Sequence, residues 1–223
     1  MRRSGPPVIV FHELYGASPE DFAFAGRLVD AGFTVFVPVL FGKPNARGLG
    51  FFCVAHEFAV LSSCRSSPMA EWGRSLGRLI SQDFGGRGIG AIGLCLTGGF
   101  ALTMMLDPWV LAPVVSEPAL PFGLTTSLKS ALPLSCEDVS AIRQRIAAGA
   151  EILAFRFAGD WISPELRDLT LRSTFDNVRG NGRLKPTCPH AHAVFTTHYR
   201  DTPGSSTRAA YDELIAFLNE KLG

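Results

Sequence analysis

Short apolar runs without a polar face, alternating with helix-like stretches, constrain this chain most. PVIVFH at 7–12 follows a Gly-Pro-Pro break, and FTVFV at 33–37 closes at Pro38; further runs fall at 88–94, 110–115 and 151–157. Strands of that kind are buried on both faces, as in a parallel sheet covered by helices. Between the runs lie helix signals. Ser18-Pro19-Glu20-Asp21 supplies a cap, a proline at the first helical position and early acidic charge for a helix to Asp30, ended by Gly32. Residues 69–83 read as a helix with Trp72, Leu76, Leu79 and Ile80 on one face, and a Gly-Gly pair opens an apolar helix over 99–106. Helices are also expected over 137–148, from Pro164 to about Phe175, and after a Thr202-Pro203 cap. In the last, Tyr211, Leu214, Ile215, Leu218 and Leu222 form the buried stripe. The alternation predicts an α/β three-layer sandwich with a mostly parallel central sheet, whose polar residues at the carboxyl ends of strands are the candidates for chemistry.

At 223 residues the chain reads as one domain over 1–223, with a candidate flap at 41–70 and an insertion loop at 116–135. An apolar fraction of 47%, a charged fraction of 18% and a mean hydropathy of +0.20 exclude disorder, collagen and coiled coil. Lys and Arg total 21 against 20 acidic residues, so no concentrated positive charge points to nucleic acid. The cysteines at 53, 64, 95, 136 and 188 include no CxxC pair, and no metal site is expected. The apolar stretch 51–61 is broken by His56 and Glu57 and is too short to span a bilayer. The expectation is a cytoplasmic protein with reduced thiols and no membrane association.

The strongest local signal is Ile92-Gly93-Leu94-Cys95-Leu96-Thr97-Gly98-Gly99, set between a strand and a helix. A side chain on so sharp a turn needs small neighbours, and the start of the following helix favours a thiolate. Cys95 is therefore a candidate nucleophile; the plainer reading is a buried structural cysteine in a glycine-rich turn. A thiol nucleophile needs a base, and the base an acid to orient it. Asp160, in FAGDWISP, ends a strand in the right order for that acid, although it equally suits the cap of the helix near Pro164. His190, His192 and His198 all fall where the base belongs, and spacing does not choose between them. Glu13, at the end of the first strand, reads on its own as a surface residue or a cap partner.

These segments together resemble the dienelactone hydrolase family, cysteine hydrolases of the α/β-hydrolase fold. VIVFHELYG resembles its first strand and glutamate, GFTVFVPVLFGKP the following strand and proline segment, GLCLTGG its nucleophile turn, and GDWISP its acid loop. The resemblance implies Cys95 as nucleophile, Asp160 as acid and Glu13 as the carboxylate paired with the resting thiol. It implies His192, in His-Ala-Val, as base ahead of His198 and His190. The backbone N–H groups of Leu96 and Leu14 would form the oxyanion hole. No metal or cofactor is implied, and the partner is a small ester or lactone substrate. The sequence departs from the family at Val39, where aspartate is usual, at Thr97, where glycine is usual, and at Ala193-Val194. Arg74, Arg78 and Arg200 match no substrate-binding motif. Two other readings stand beside this one: a carboxylesterase or thioesterase of the same fold, and a non-catalytic binder of a small ligand. A redox-sensing Cys95 is a third, for which no resolving cysteine is placed. The sequence does not decide between monomer and homodimer.

Overall fold

The computed structural model describes residues 5–13, 16–40, 67–84, 86–119 and 125–223. Its centre is a six-stranded sheet of β1 (Pro7–Phe11), β2 (Thr34–Phe36), β3 (Ile89–Leu94), β4 (Val110–Ser116), β5 (Ile152–Phe155) and β6 (Val178–Arg179). The spatial order is β2-β1-β3-β4-β5-β6, and every neighbouring pair is parallel. The chain winds one way from β1 to β2 and the other way from β3 onward. The crevice at that reversal, beyond the carboxyl ends of β1 and β3, is where such sheets bind ligands.

Side chains alternate between two apolar layers, as the period of two in a strand requires. Val8, Val10, Ile92, Leu94, Val114, Leu153 and Phe155 pack on one face with Phe24 and Leu28 of the Pro19–Asp30 helix and with Leu214, Phe217 and Leu218 of the Ser206–Leu222 helix. On the other face, Ile9, Phe11 and Ala91 meet Ala70 and Ile80 of the Pro68–Phe84 helix and Phe100 and Met104 of the Gly98–Met104 helix. Val115, Ile152 and Ala154 meet Ile142 and Ile146 of the Cys136–Ala147 helix and Leu171 of the Glu165–Thr174 helix. The expected three layers are therefore present, with a sheet that is parallel at every pairing.

Helix starts follow the local chemistry. Ser18 and Asp21 form a reciprocal capping box, as do Ser135 and Asp138. Two expectations need correction. The buried stripe of the Pro68–Phe84 helix is Ala70, Gly73, Gly77 and Ile80, whereas Trp72 and Leu79 are 50% and 61% exposed. Glycine lets this helix lie close to the sheet: a Cβ at 73 would sit 3.0 Å from the Phe11 ring, and one at 77 would sit 3.0 Å from the Ile89 side chain. The last helix begins at Ser206 with Ser205 at its cap, because Gly204 turns at φ +80 and separates Thr202-Pro203 from it. The two-residue edge strand β6 was not expected. In the 116–135 loop, a short helix covers Thr126–Ser130, and residues 120–124 lie outside the described residues. Most of the candidate flap, 41–66, lies outside them as well. No described helix is long and apolar enough to cross a membrane.

Candidate active site

Cys95 follows β3 directly and opens a single 3-10 turn, Cys95–Thr97, that runs into the Gly98–Met104 helix. Its φ is +53, a conformation that costs a non-glycine residue about 1–3 kcal/mol. The turn is tight enough that a Cβ at Gly93 would lie 2.1 Å from the Thr97 carbonyl oxygen. Cys95 is buried and in no disulfide; Cys136 and Cys188 are likewise unbridged. Ala119 N–H donates to the Cys95 carbonyl at 3.0 Å, tying the loop after β4 to the turn.

Thr97 has a physical reason to replace glycine. Its fully buried hydroxyl accepts from Leu94 N–H at 3.0 Å. The same oxygen lies 2.8 Å from Leu94 O, 2.9 Å from Phe11 O and 3.1 Å from His12 O, so its one proton has three carbonyls within reach. The side chain pins the nucleophile turn to the end of β1, which leads into Glu13. Thr97→Val keeps the shape but strands these groups. It should cost about 1–3 kcal/mol of unfolding free energy in urea titrations, and Thr97→Ser should recover most of the loss.

Asp160 and His192 meet at 2.7 Å between Oδ2 and Nδ1. The other Asp160 oxygen accepts from Ile162 N–H at 2.9 Å and Ser163 N–H at 3.1 Å. This fixes the carboxylate and so the imidazole. Both residues are buried, and His192 Nε2 has no hydrogen-bond partner among the described residues. With Nδ1–H donating to Asp160, Nε2 is the nitrogen left to take a proton. The acid loop is held by Arg156, a buried side chain directly after β5. It donates to Ser163 O at 2.9 Å, Gly182 O at 2.9 Å and Asp160 O at 3.3 Å. Sequence reasoning missed it, although a lone arginine in ILAFRFAGD is visible as an anomaly.

The other late histidines sit differently. His198 Nδ1 accepts from His192 N–H at 3.3 Å and Ala193 N–H at 3.1 Å, and loss of solvent lowers its pKa. It therefore braces the backbone of the His192 segment as a neutral ring. His190 is exposed. Glu13 accepts a hydrogen bond from the Thr196 hydroxyl, four residues beyond His192, and loss of solvent raises its pKa. Leu96 is buried directly after Cys95; Leu14 lies outside the described residues. Arg74 is paired with Asp107 at 2.8 Å, Arg78 lies over the Trp109 ring, and Arg200 donates to Thr197 O and Tyr199 O. Among the described residues no cluster of His, Cys, Asp or Glu is arranged to hold a metal ion.

The parallel sheet and the strand–turn–helix at Cys95 are those of the α/β-hydrolase fold, and Glu13, Asp160 and His192 lie at the same end of that sheet. More narrowly, the chain belongs to the dienelactone hydrolase family, whose model matches residues 2–116. Similar solved structures include m3DLH, at 17% identity and a TM-score of 0.65, covering 100% of this chain and 89% of that one. A Klebsiella pneumoniae protein assigned as a dienelactone hydrolase has 16% identity and a TM-score of 0.61, covering 99% and 89%. Est1E of Butyrivibrio proteoclasticus, solved with ferulic acid bound, has 13% identity and a TM-score of 0.59, covering 98% and 90%. At these identities the likeness establishes the fold. No curated protein matches the chain. Family membership supports ester hydrolysis as the class of reaction.

Proposed function

We propose that this protein hydrolyses small esters or lactones through a thioester on Cys95, with His192 as base, Asp160 as its orienting acid and Glu13 as the first proton acceptor. The observation that carries the reading is the buried Asp160–His192 pair, with Nε2 unpartnered among the described residues, on the same sheet end as a cysteine at φ +53. In the first step Glu13 takes the thiol proton, and the thiolate sulfur bonds to the acyl carbon. The carbonyl electron pair moves to oxygen, where the Leu96 and Leu14 N–H groups would receive it. Its return expels the alkoxide or enolate, which takes the proton held by Glu13 and leaves a thioester. His192 Nε2 then takes a proton from water, the hydroxide attacks the thioester, and the carboxylic acid departs as the thiol reforms.

A thiolate leaves a tetrahedral intermediate more easily than an alkoxide does, which favours substrates with stable leaving groups such as enol lactones and aryl esters. Cys95 belongs to an apolar cluster that also holds Leu96 and Ala119, with Leu40, Ala131 and Ile162 packed against it, which suits an apolar acyl group. The test is hydrolysis of a nitrophenyl acetate and a dienelactone by the purified protein. Preference for the lactone favours the narrower reading, preference for the open ester favours a carboxylesterase, and a wild type inactive on both sinks the proposal for these substrates.

Glu13 adds a pH signature. Because loss of solvent raises its pKa, the carboxylate form needed to accept the thiol proton disappears above the ordinary carboxylate range as pH falls. The acid limb of kcat/KM should therefore lie above that range. Glu13→Gln should lower kcat/KM by about 10²-fold or more and abolish that limb. A limb unchanged in Glu13→Gln would show that another group receives the proton.

A further inference from the structure

Three carboxyl groups, each from the end of a different strand, hold the segment that carries His192. Asp160 meets the His192 ring, Glu13 accepts from the Thr196 hydroxyl, and between them Glu117 Oε2 accepts from Val194 N–H at 3.3 Å. Glu117 has no part in the steps above, yet its placement is unusual. It follows β4 directly, is fully buried, and has φ +37, a conformation that side-chain-bearing residues seldom adopt. Its own N–H donates to Phe155 O at 2.7 Å, which fixes that backbone against β5.

The carboxyl group is poorly furnished for a negative charge. Oε2 is shared by the Ser116 hydroxyl and Val194 N–H, while Oε1 is buried with no hydrogen-bond partner among the described residues. The titratable groups on the surrounding elements are Glu13 after β1, Cys95 after β3, Asp160 after β5 and His192 on the segment it braces. The charges that act on it include Glu13 and Asp160, both acidic. The buried guanidiniums of this side donate to backbone carbonyls: Arg156 as described, and Arg167 to Ala131 O, Pro118 O and Leu128 O. A carboxylate with one bare oxygen beside other carboxylates loses its solvation without compensation, whereas the acid form loses far less. Burial first, and the charge of Glu13 second, raise its pKa well above the ordinary value.

We infer that Glu117 is a neutral carboxylic acid that acts as a positioning residue, fixing Val194 and hence the His192 segment without placing a second negative charge beside Glu13. This deepens the proposed function and rests on it for its catalytic consequence. An ionised Glu117 would hold Glu13 in its protonated form, in which it takes no proton from the thiol.

The first test reads the charge and needs no substrate. Urea unfolding of the full-length protein and of Glu117→Gln is compared between pH 5 and 8. In the unfolded chain Glu117 ionises near its ordinary pKa, while the folded protein keeps the proton. Folding of the wild type should therefore weaken relative to Glu117→Gln by about tenfold in equilibrium constant per pH unit, until the folded pKa is passed. A ratio that does not change with pH means an ionised native Glu117 and overturns the inference.

The second test reads the positioning. Glu117→Leu offers Val194 N–H no acceptor and should lower kcat for a nitrophenyl ester by about tenfold or more with KM little changed. Glu117→Gln, which keeps an oxygen there, should recover most of that loss. Loss in Glu117→Gln equal to that in Glu117→Leu, or full activity in Glu117→Leu, overturns the role. If the wild type hydrolyses no ester, the functional reading fails, and the unfolding ratio still decides the charge of Glu117.

Discussion

Cys95→Ala is expected to lose ester hydrolysis by roughly 10⁴-fold or more while folding as well as the wild type. Alanine removes the sulfur that would carry the acyl group, and what remains is catalysis by bound water. Stability should be little affected, since the turn is held by Thr97, Gly93 and the Ala119–Cys95 backbone bond, none of which involves sulfur. Cys95→Ser separates chemistry from geometry. Serine fits the turn, but its hydroxyl is a far weaker acid than a thiol, and Glu13 is a carboxylate, too weak a base to deprotonate it. The serine variant should therefore resemble alanine. Activity near the wild-type level in Cys95→Ser would mean that His192, and not Glu13, activates the nucleophile.

Asp160→Asn should lower kcat by about 10⁴-fold with a small change in melting temperature. Asparagine can present its oxygen to Ile162 and Ser163 N–H, so the loop keeps its bonds. The amide NH₂ then faces His192 Nδ1, which becomes an acceptor, and the ring proton moves to Nε2. The nitrogen that must take a proton from water is then already protonated. His192→Ala should give a loss of similar size, and the double variant little more, because the two residues act as a unit. An additive double loss would mean that Asp160 serves a separate purpose.

Much of the fold was legible because a parallel sheet buries both faces of its strands, leaving apolar runs such as PVIVF and IGAIGL. β6 escaped because a two-residue edge strand, Val178–Arg179, carries no such run. The stripe on the Pro68–Phe84 helix was misread for a related reason. Hydrophobic size points to Trp72 and Leu79, but the contact is made by Gly73 and Gly77, where the absence of a side chain permits the approach.

At the site, Cys95 announced itself through the small residues its turn requires. Asp160 was visible from its place after a strand, and His192 only as one of three late histidines in loops where no periodicity operates; the choice of His192 over His198 depended on the family resemblance. The structure separates the two rings: His192 meets Asp160, and His198 braces the backbone. Thr97 looked like a departure and is a tie between β1 and the nucleophile turn. Glu117 lay in a proline-containing loop and was not singled out. Its partner, Val194, is distant in the chain, and burial of a charged residue type leaves no local mark.

The central claim is a covalent acyl group on Cys95, and the most direct measurement is its capture. The protein would be mixed with a nitrophenyl ester at mildly acidic pH, where hydrolysis of the thioester is slowed, then quenched in acid, digested and analysed by mass spectrometry. The expected result is one acyl group on the peptide containing Cys95, formed at the rate of the nitrophenol burst and removed by hydroxylamine. Turnover of the ester with Cys95 never acylated, or with the acyl group on another residue, would contradict the account.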